Sequence, residues 1–528
     1  MTLWHEWRDI IHCSMVNRSQ LQWLLLCCSF FFLAHGDDIK RSDFPENFMF
    51  GVGTSAYQIE GAYREDGKSL NNWDVFSLSP GHIRNDDNGF IANDHYHRYL
   101  KDFDIIQSLG VDAYRFSISW ARILPRGRFG EVNPEGIMFY NKILDELILR
   151  GITPFVTIYH HDFPQELQDR YGSWLSPLMQ EDYVHYAETC FKNFGDRVKY
   201  WTTINEPNLF TQMAYQNGRY PPARCSDPFG DCSAGNSDVE PIIVMHNMLL
   251  AHGKAVNIYR KYYQREQGGS VGIVLDCLMF EPLTDNDQEA ANRGLAFSIG
   301  WALDPLIFGD YPLEMREILG NQLLKFSNSE KEFMKNSVDF IGVNHYSTTY
   351  AVDCIHSSCS LTGNRPIKGF VEGIFVRDGV QIGDPTGIST LPVVPRGLGE
   401  VIDYLKKKYD NKPMFVTENG YSDPTTQGQG QDVLHDVKRI EYHKSYLASL
   451  AKAIRDGADV RGYFAWTLMD DFEWIIGYNV RFGLYYIDRQ TLDRIPKLSA
   501  KWYQDFLKNN TQPLTATISE LQYKAADS

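Results

Sequence analysis

Eight short runs of β-branched and aromatic residues recur along the chain, and they constrain its fold more strongly than any other feature. The runs are Phe48 to Val52, Val111 to Phe116, Thr153 to Tyr159, Val198 to Ile204, Val271 to Leu275, Val338 to Val343, Met414 to Thr417 and Val460 to Trp466. Stretches with helical spacing lie between them, for example Tyr99 to Leu109 before Gly110 and Ile137 to Arg150 before Gly151. Such alternation is typical of a parallel sheet covered by helices. Eight repeats predict an α/β fold, a single (β/α)₈ TIM barrel in which long loops follow the strands and carry the chemistry. The segments 217–236 and 347–397 are two such predicted loops.

The composition permits a large core and excludes one class of partner. With 43% hydrophobic residues among 528, the chain can bury an extensive interior. Its net charge of −16 leaves no basic surface for a phosphate backbone, so we expect no nucleic-acid partner. Aromatic residues make up 14% of the chain, and their flat apolar faces suit sugar rings or aromatic ligands. No linker or low-complexity tract divides the sequence, which predicts one catalytic domain over 37–512 and a tail over 513–528.

Residues 1–36 are predicted to be a secretory signal peptide, with Met15 as an alternative initiator. A polar stretch containing Arg18 precedes the apolar run Leu21 to Leu33, which is shorter than the roughly 20 residues that span a bilayer. A signal anchor or a buried helix is the alternative. The signal predicts a mature chain without a membrane anchor, either extracellular in the apoplast or in the vacuole. The last four residues, Ala-Ala-Asp-Ser, are not an ER-retention signal.

Six of the nine cysteines follow the predicted signal. Cys225 and Cys232 lie close together, as do Cys354 and Cys359, so two local disulfides are predicted in an oxidising compartment. Zinc ligation is the alternative, but these spacings without a histidine cluster are not typical of it. Asn509 begins the sequon Asn-Asn-Thr and is a predicted glycosylation site.

Two further patterns contain residue types that bind a cofactor or a metal. The segment Gly51 to Ala56 fits G-x-G-x-x-A, with Asp74 about 20 residues further on, as in a dinucleotide site. The residues that should form the helix have no sustained apolar stripe, so we expect no cofactor. His160 to Asp162, and the pair His95 and His97, carry metal-ligand types. Adjacent residues on a strand point to opposite faces, however, so we expect no metal.

Two glutamates end the fourth and seventh runs. Glu206 lies between Asn205 and Pro207, and Glu418 follows Thr417. In a parallel barrel both carboxyl groups project at the same rim. Glycoside cleavage needs such a pair, because one acid protonates the departing oxygen while the other stabilises or attacks an oxocarbenium-like centre. A separation of about 5 to 5.5 Å implies retention of configuration, and a wider one implies inversion.

The chain resembles glycoside hydrolase family 1 from Phe44 to Phe506, in its plant β-glucosidase branch. The motifs that carry this resemblance are Phe48 to Gly61, Tyr114 to Trp120, Thr202 to Pro207, Asp339 to Asn344, Thr417 to Gly420 and Asp471 to Trp474. The resemblance implies a (β/α)₈ barrel that hydrolyses β-glucosides with retention of configuration. It makes Glu206 the acid/base and Glu418 the nucleophile. Arg115, at the end of the second run, and Tyr346, after the sixth, are placed to hold Glu418 charged and oriented. A structural ion pair is the other interpretation of Arg115.

The resemblance also implies a glucose site without a cofactor. Its predicted members, carried over from matching motif positions, are Gln58, His160, Asn205, Asn344, Tyr346, Trp466, Glu473, Trp474 and Phe482. Amide, imidazole and carboxylate groups can share donors and acceptors with four sugar hydroxyls. The indole of Trp466 and the ring of Phe482 offer an apolar floor and wall.

One position departs from the family pattern and leaves the acceptor open. After His160 the family commonly has Trp, whereas this chain has His161. The plant branch with His there also resembles transglucosidases that move glucose from acyl-glucose donors to acceptor alcohols. We therefore expect a β-glucosidase acting on aryl or other aglycone β-glucosides, with transglucosylation as the alternative and an inactive sugar-binding barrel as a third.

Overall fold

The predicted runs form a closed parallel barrel in the computed structural model, which describes residues 38–424 and 433–508. The strands are β1 (Met49–Gly53), β2 (Ala113–Ser117), β3 (Thr153–Tyr159), β4 (Tyr200–Asn205), β5 (Ser270–Asp276), β6 (Phe340–Asn344), β7 (Met414–Asn419) and β8 (Val460–Trp466). Each strand pairs in parallel with its chain neighbours, and β8 closes on β1. The barrel prediction is confirmed, with strand ends within two residues of the predicted runs. The predicted signal, Asn509 and the tail lie outside the described residues.

Helices flank the barrel and connect successive strands. The longer ones are His95–Leu109, Pro134–Leu149, Leu178–Phe194, Pro207–Tyr215, Glu240–Ile258, Pro395–Lys408, Val437–Arg455 and Leu498–Leu507. The shorter ones are Ala56–Ile59, Asn72–Phe76, Trp120–Ile123, Gln165–Tyr171, Gln264–Gln267, Gln288–Leu295, Trp301–Phe308, Leu313–Leu319 and Asn328–Met334. Among the described residues, no helix has both the length and the apolar character that crossing a membrane requires.

Local sequence explains where these helices begin and end. The helix Pro134–Leu149 starts with proline, and the side chain of Asn133 accepts a hydrogen bond from the amide of Glu135. Gly110 and Gly151 follow the two helices before β2 and β3, with φ of 76° and 71°. Glycine takes this left-handed conformation without steric cost, so each helix stops and the next strand begins at a fixed place.

The barrel interior is filled by aromatic side chains near the amino ends of the strands. The cluster contains Ala113, Phe155, Phe340, Phe415 and Phe464, one from each of five strands. The four phenylalanine rings pack together, and the centroids of the Phe155 and Phe464 rings are 4.9 Å apart. This packing closes one end of the barrel, so polar side chains converge only at the carboxyl end of the strands.

The segment 347–397, predicted as a long loop, contains strands of its own. Thr348–Asp353 pairs with Met279–Pro282 and with Val371–Ile374 to make a three-stranded sheet beside the barrel. The pattern in this segment was too short and too interrupted by Gly, Ser and Pro to indicate a strand. Three two-stranded sheets also lie in the loops: Val376–Arg377 with Val380–Gln381, Asp423–Pro424 with Val480–Arg481, and Tyr485–Ile487 with Arg494–Pro496.

Both predicted disulfides are present, and each ties down a loop. Cys225 bonds to Cys232 after β4, and Cys354 bonds to Cys359 directly after the strand Thr348–Asp353. The described residues therefore use these four cysteines as cross-links rather than as zinc ligands.

The glycines of the G-x-G-x-x-A pattern allow close packing inside the barrel. Gly51 and Gly53 lie within β1, and a Cβ on Gly51 would come within 2.4 Å of the Phe464 ring. Asp74 caps the helix Asn72–Phe76 reciprocally with Asn71. The structure thus assigns packing and capping to the residues that fit the cofactor pattern.

Candidate active site

The two glutamates predicted as catalytic converge at the carboxyl end of the barrel. Glu206 follows β4 directly, Glu418 lies near the end of β7, and both side chains are buried. Asn344, the last residue of β6, lies beside both: its Nδ2 donates to Glu206 Oε1 at 2.9 Å, and its backbone pairs with that of Glu418. Glu206 and Glu418 are 212 positions apart in sequence, and the order of the strands brings both to one site.

The backbone of Glu206 is held in an unusual conformation. Its φ of 45° lies in the left-handed region, which residues other than glycine seldom occupy. The following Pro207 disfavours the right-handed helical region for Glu206 and begins the next helix. A hydrogen bond from the Glu206 amide to Val274 O at 2.8 Å fixes this geometry. The strained turn aims the carboxyl group into the site, as strained residues at functional sites commonly do.

Glu418 is held by two donors from different strands. Arg115 Nη1 donates to Glu418 Oε1 at 2.7 Å, and Tyr346 Oη donates to Oε2 at 2.7 Å. Arg115 lies in the middle of β2, not at its end as the sequence suggested, and its Nη2 donates to Asn205 Oδ1 at 2.6 Å. Both carboxylate oxygens thus accept hydrogen bonds, one of them from a buried cation. These contacts favour a charged and oriented Glu418.

Glu206 has the opposite environment. Burial, together with the charges of Glu418 and Asp276, raises the pKa of Glu206 well above its ordinary value. The hydrogen bond from Asn344 and the charge of Arg115 oppose this shift without cancelling it. Two carboxyl groups with different environments can take different protonation states, which is the arrangement that acid and nucleophile roles require.

Further carboxyl groups surround the pair. Burial and the charge of Glu418 raise the pKa of Asp276 to about 7 and that of Glu473 to about 8. The pKa of Asp471 is raised by burial, by Glu473 and by Asp470. Arg115 balances the charge of Glu418, whereas Glu206, Asp276, Asp471 and Glu473 make no ion pair among the described residues.

The predicted sugar-binding groups line the same pocket. Gln58 Nε2 donates to Glu473 Oε2 at 3.4 Å and to Phe472 O at 3.0 Å. Asn205 Nδ2 lies 3.1 Å from His160 Nε2, and when it donates there the neutral imidazole carries its hydrogen on Nδ1. Burial, His161 and Arg115 lower the pKa of His160 well below its ordinary value. His160 Nδ1 has no partner among the described residues and is therefore available to a hydroxyl group.

Aromatic rings form the remaining walls. Trp466 and Phe482 pack in one cluster, and Tyr346 lies against it. The His160 ring stacks between Trp466, at a centroid distance of 6.0 Å, and Trp474, at 5.8 Å. The structure therefore brings every predicted sugar-binding residue to this end of the barrel. Flat rings beside amide and carboxyl groups suit a pyranose, whose faces are apolar and whose edges are polar.

The histidines considered as metal ligands have other partners. His95 Nδ1 lies 2.7 Å from Asp102 Oδ2 at the start of a helix, and His97 Nδ1 lies 2.6 Å from Asp94. His161 Nε2 lies 3.2 Å from Asn205 O, which is a contact to backbone. Burial lowers the pKa of His161 to about 3, so this residue is neutral. Among the described residues, the one cluster with metal-ligand types is Cys354, Cys359 and Glu372, and its cysteines form a disulfide.

Sequence reasoning did not select three residues that support the site. Asp276 ends β5 and raises the pKa of Glu206, and Thr417 Oγ1 donates to Asn344 Oδ1 at 2.7 Å. Asp471 accepts from Gln58 at 3.5 Å. The position of Asp276 at the carboxyl end of an apolar run was the available signal, because it is the same signal that identified Glu206 and Glu418.

The site contains two buried carboxyl groups, one paired with arginine and one with a raised pKa. They lie beside polar and aromatic side chains at the carboxyl end of a (β/α)₈ barrel. This combination defines a glycosidase. The sequence profile described as Glycosyl hydrolase family 1 matches residues 40–512. The chain belongs to this family.

Several plant relatives and solved structures are similar to the chain. A rice (Oryza sativa subsp. japonica) protein named probable inactive beta-glucosidase 14 is 51% identical over 92% of this chain and 95% of its own. Coniferin beta-glucosidase of Pinus contorta is 47% identical over 94% and 98%. A rice β-glucosidase mutant in a covalent complex with glucose has a TM-score of 0.86 and 43% identity, covering 89% of this chain and 99% of that one.

Proposed function

We propose that the protein is a retaining β-glucosidase that releases glucose from aryl and other aglycone β-glucosides. The observation that carries this proposal is the contrast between its two buried carboxyl groups. Glu418 accepts hydrogen bonds from Arg115 and Tyr346, whereas Glu206 has a raised pKa and forms no ion pair with any described residue. A nucleophile must be ionised and an acid must be protonated, and this site separates the two conditions.

The first step forms a glycosyl ester. A carboxylate oxygen of Glu418 attacks the anomeric carbon while Glu206 transfers its proton to the glycosidic oxygen. The bond between the anomeric carbon and that oxygen breaks, and the aglycone leaves as an alcohol or phenol. Tyr346 and Arg115 hold Glu418 in the orientation for attack.

The second step hydrolyses the ester with the same residues in exchanged roles. Forming the ester removes the charge of Glu418, which is one cause of the raised pKa of Glu206. Glu206 is then ionised and takes a proton from water, whose oxygen attacks the anomeric carbon. Glucose leaves with its original configuration, and Glu418 regains its charge. The covalent glucose in the rice mutant structure supports such an intermediate by analogy.

The direct experiment replaces each glutamate in turn and adds azide. Glu418→Gly should lower kcat for an aryl β-glucoside by on the order of 10⁴-fold, because the nucleophile is lost. Azide should restore turnover and give α-glucosyl azide, since it attacks from the side that Glu418 occupied. Glu206→Ala with azide should instead give the β product. Full activity of Glu418→Gly, or the same azide anomer from both variants, would refute these roles.

Transglucosylation is the second candidate, and His161 favours it. Its ring lies between Phe210, Tyr220 and Trp474, where the family commonly has Trp. An imidazole there gives the pocket wall a polar edge that an acceptor alcohol could use. An acyl-glucose donor incubated with an acceptor alcohol should then yield a glucosylated acceptor. Release of free glucose alone at every acceptor concentration would exclude this function.

An inactive barrel is the third candidate, since one relative is named probable inactive. Both carboxyl groups and both donors to Glu418 are present in this chain, which supports activity. A 2-fluoro-glucoside should trap a glucosyl ester, detected as a mass increase on the peptide that contains Glu418. A chain that gains no mass would be a binding protein. We further propose that the protein enters the secretory pathway, and its two disulfides support an oxidising compartment.

A further inference from the structure

A cavity of about 330 Å³ lies among the loops that follow β5 and β6. Asn208, two residues after Glu206, lines it, and so does Asp276. The charge of Glu418 raises the pKa of Asp276, and the charge of Asp276 raises the pKa of Glu206. Asn208 and Asp276 put the cavity on the Glu206 side of the site, where we expect the aglycone.

The cavity offers apolar surface to its occupant. Four aromatic side chains line it: Phe280, Phe297, Trp301 and Phe375. A volume of this size is at the lower end for small-molecule pockets and accommodates one aromatic ring with a short substituent. A flat ring packs well against these side chains, and the polar residues that also line the cavity, among them Gln212, Gln216 and Thr349, can bind a substituent on the ring.

One cation in this cavity has no opposing charge. Lys368 ends the short helical turn Pro366–Lys368 and lines the cavity. Its amine has neither a hydrogen bond nor an ion pair to any residue within the described ranges. Burial lowers the pKa of this amine, and no neighbouring carboxylate raises it. Because the ammonium group has no partner in the protein, it is free to bind an anion that enters the cavity.

The two carboxyl groups that share the cavity do not fill this role. The pKa of Asp276 is raised to about 7, so Asp276 is largely neutral in mildly acidic solution. Glu372 accepts a hydrogen bond from the amide of Ser360 at 2.9 Å and makes no ion pair with Lys368. The cavity thus combines aromatic walls with a single uncompensated ammonium group.

We propose that Lys368 binds the carboxylate of an aromatic aglycone, so that the substrates are β-glucosides of phenolic acids with glucose on the phenol oxygen. This assignment rests on the proposed β-glucosidase activity and names its substrate class. Binding holds the aromatic ring against the aromatic wall while Glu206 protonates the phenol oxygen.

The test compares two substrates that differ only in charge. The glucoside of 4-hydroxycinnamate and that of its methyl ester are measured with the wild type, Lys368→Met, Lys368→Arg and the surface control Lys325→Met. The wild type should have a KM about 10- to 100-fold lower for the carboxylate, the range of a hydrogen bond between charged groups. Lys368→Met should abolish this preference, whereas Lys368→Arg and Lys325→Met should keep it.

The outcomes separate this inference from the proposed function. Lys325→Met should cleave both glucosides at the wild-type rate, and a circular dichroism spectrum of Lys368→Met that matches the wild type shows that this variant is folded. Equal KM values for the two glucosides in the wild type, or an unchanged preference in Lys368→Met, would overturn the role of Lys368 and leave the β-glucosidase assignment intact. Cleavage of neither glucoside, with no trapped ester from a 2-fluoro-glucoside, would overturn the proposed function itself.

Discussion

The protonation state of Glu206 links its surroundings to the chemistry of the site. Its pKa is raised by burial first, then by Glu418 and then by Asp276. The second of these causes is removed during a catalytic cycle, because Glu418 loses its charge in the ester. The same side chain can therefore be an acid in one step and a base in the next.

Replacing Asp276 should move the pH dependence in a defined direction. Glu206 must be protonated to release a poor leaving group, so kcat/KM is high below its pKa and falls as the pH rises through it. Asp276→Asn removes a charge that raises this pKa. The alkaline limb of kcat/KM should therefore shift to lower pH. The measurement is a kcat/KM profile with an unactivated glucoside, with the exposed Asp145→Asn as the control; a shift to higher pH would contradict the assignment.

Arg115 should be important for stability as well as for catalysis. Its ion pair with Glu418 is buried, and removing Arg115 leaves the charge of the buried Glu418 carboxylate without a cation. We expect Arg115→Met to lower the free energy of unfolding by about 3–5 kcal/mol, measured by urea denaturation at pH 7. Lys452→Met breaks a solvent-exposed pair and should change it by less than about 1 kcal/mol. Similar effects from both variants would mean that the buried pair has no special energetic role.

At the scale of single elements, caps and turns place the loops around the site. The helix Asn72–Phe76 carries a reciprocal cap in which Asn71 accepts from the Asp74 amide at 2.7 Å and donates its own amide to the Asp74 carboxylate at 2.9 Å. Lys68 adds an ion pair to Asp74 at 2.9 Å. The amide of Asn72 also bonds to Phe163 O, which follows the site residues after β3. This cap therefore joins the loop after β1 to the loop after β3.

Loss of this cap should weaken the fold without removing a catalytic group. Asn71→Ala should lower the free energy of unfolding by about 1–2 kcal/mol, because the first helical amides lose their acceptor. Asn71→Ser retains an acceptor and should recover most of that loss. Thermal unfolding of both variants provides the measurement, and an Ala variant as stable as the Ser variant would show that the cap contributes little.

At the scale of the whole molecule, the barrel has one apolar end and one polar end. The aromatic cluster fills the end near the strand starts, while the acids and amides gather at the other. Phe155 contacts Phe340, Phe415 and Phe464 across the barrel, so it joins four strands in one packed layer. The precision of the site depends on this layer, because Phe415 and Glu418 lie on the same strand.

Truncating the centre of this cluster should therefore be severe. Phe155→Ala leaves a cavity in the barrel interior and should lower the free energy of unfolding by about 3–5 kcal/mol. Phe155→Leu fills most of that space and should cost less. Urea denaturation gives both values, and a loss below about 1 kcal/mol for the Ala variant would place the main core outside the barrel.

Sequence periodicity determined the fold, because eight apolar runs separated by helical stretches have few ways to bury their faces other than a closed parallel barrel. Residue type and position at the strand ends also indicated Glu206 and Glu418. The strands within 347–397 escaped this reasoning, since their apolar runs are short and interrupted by Gly, Ser and Pro. Only the tertiary structure shows three other features of the site. They are the effect of Asp276 on the pKa of Glu206, the position of Arg115 in the middle of its strand, and the amine of Lys368 without a partner. The burial of a side chain and the charges around it depend on which residues come together across the barrel. The spacing of residues along the chain does not determine these contacts.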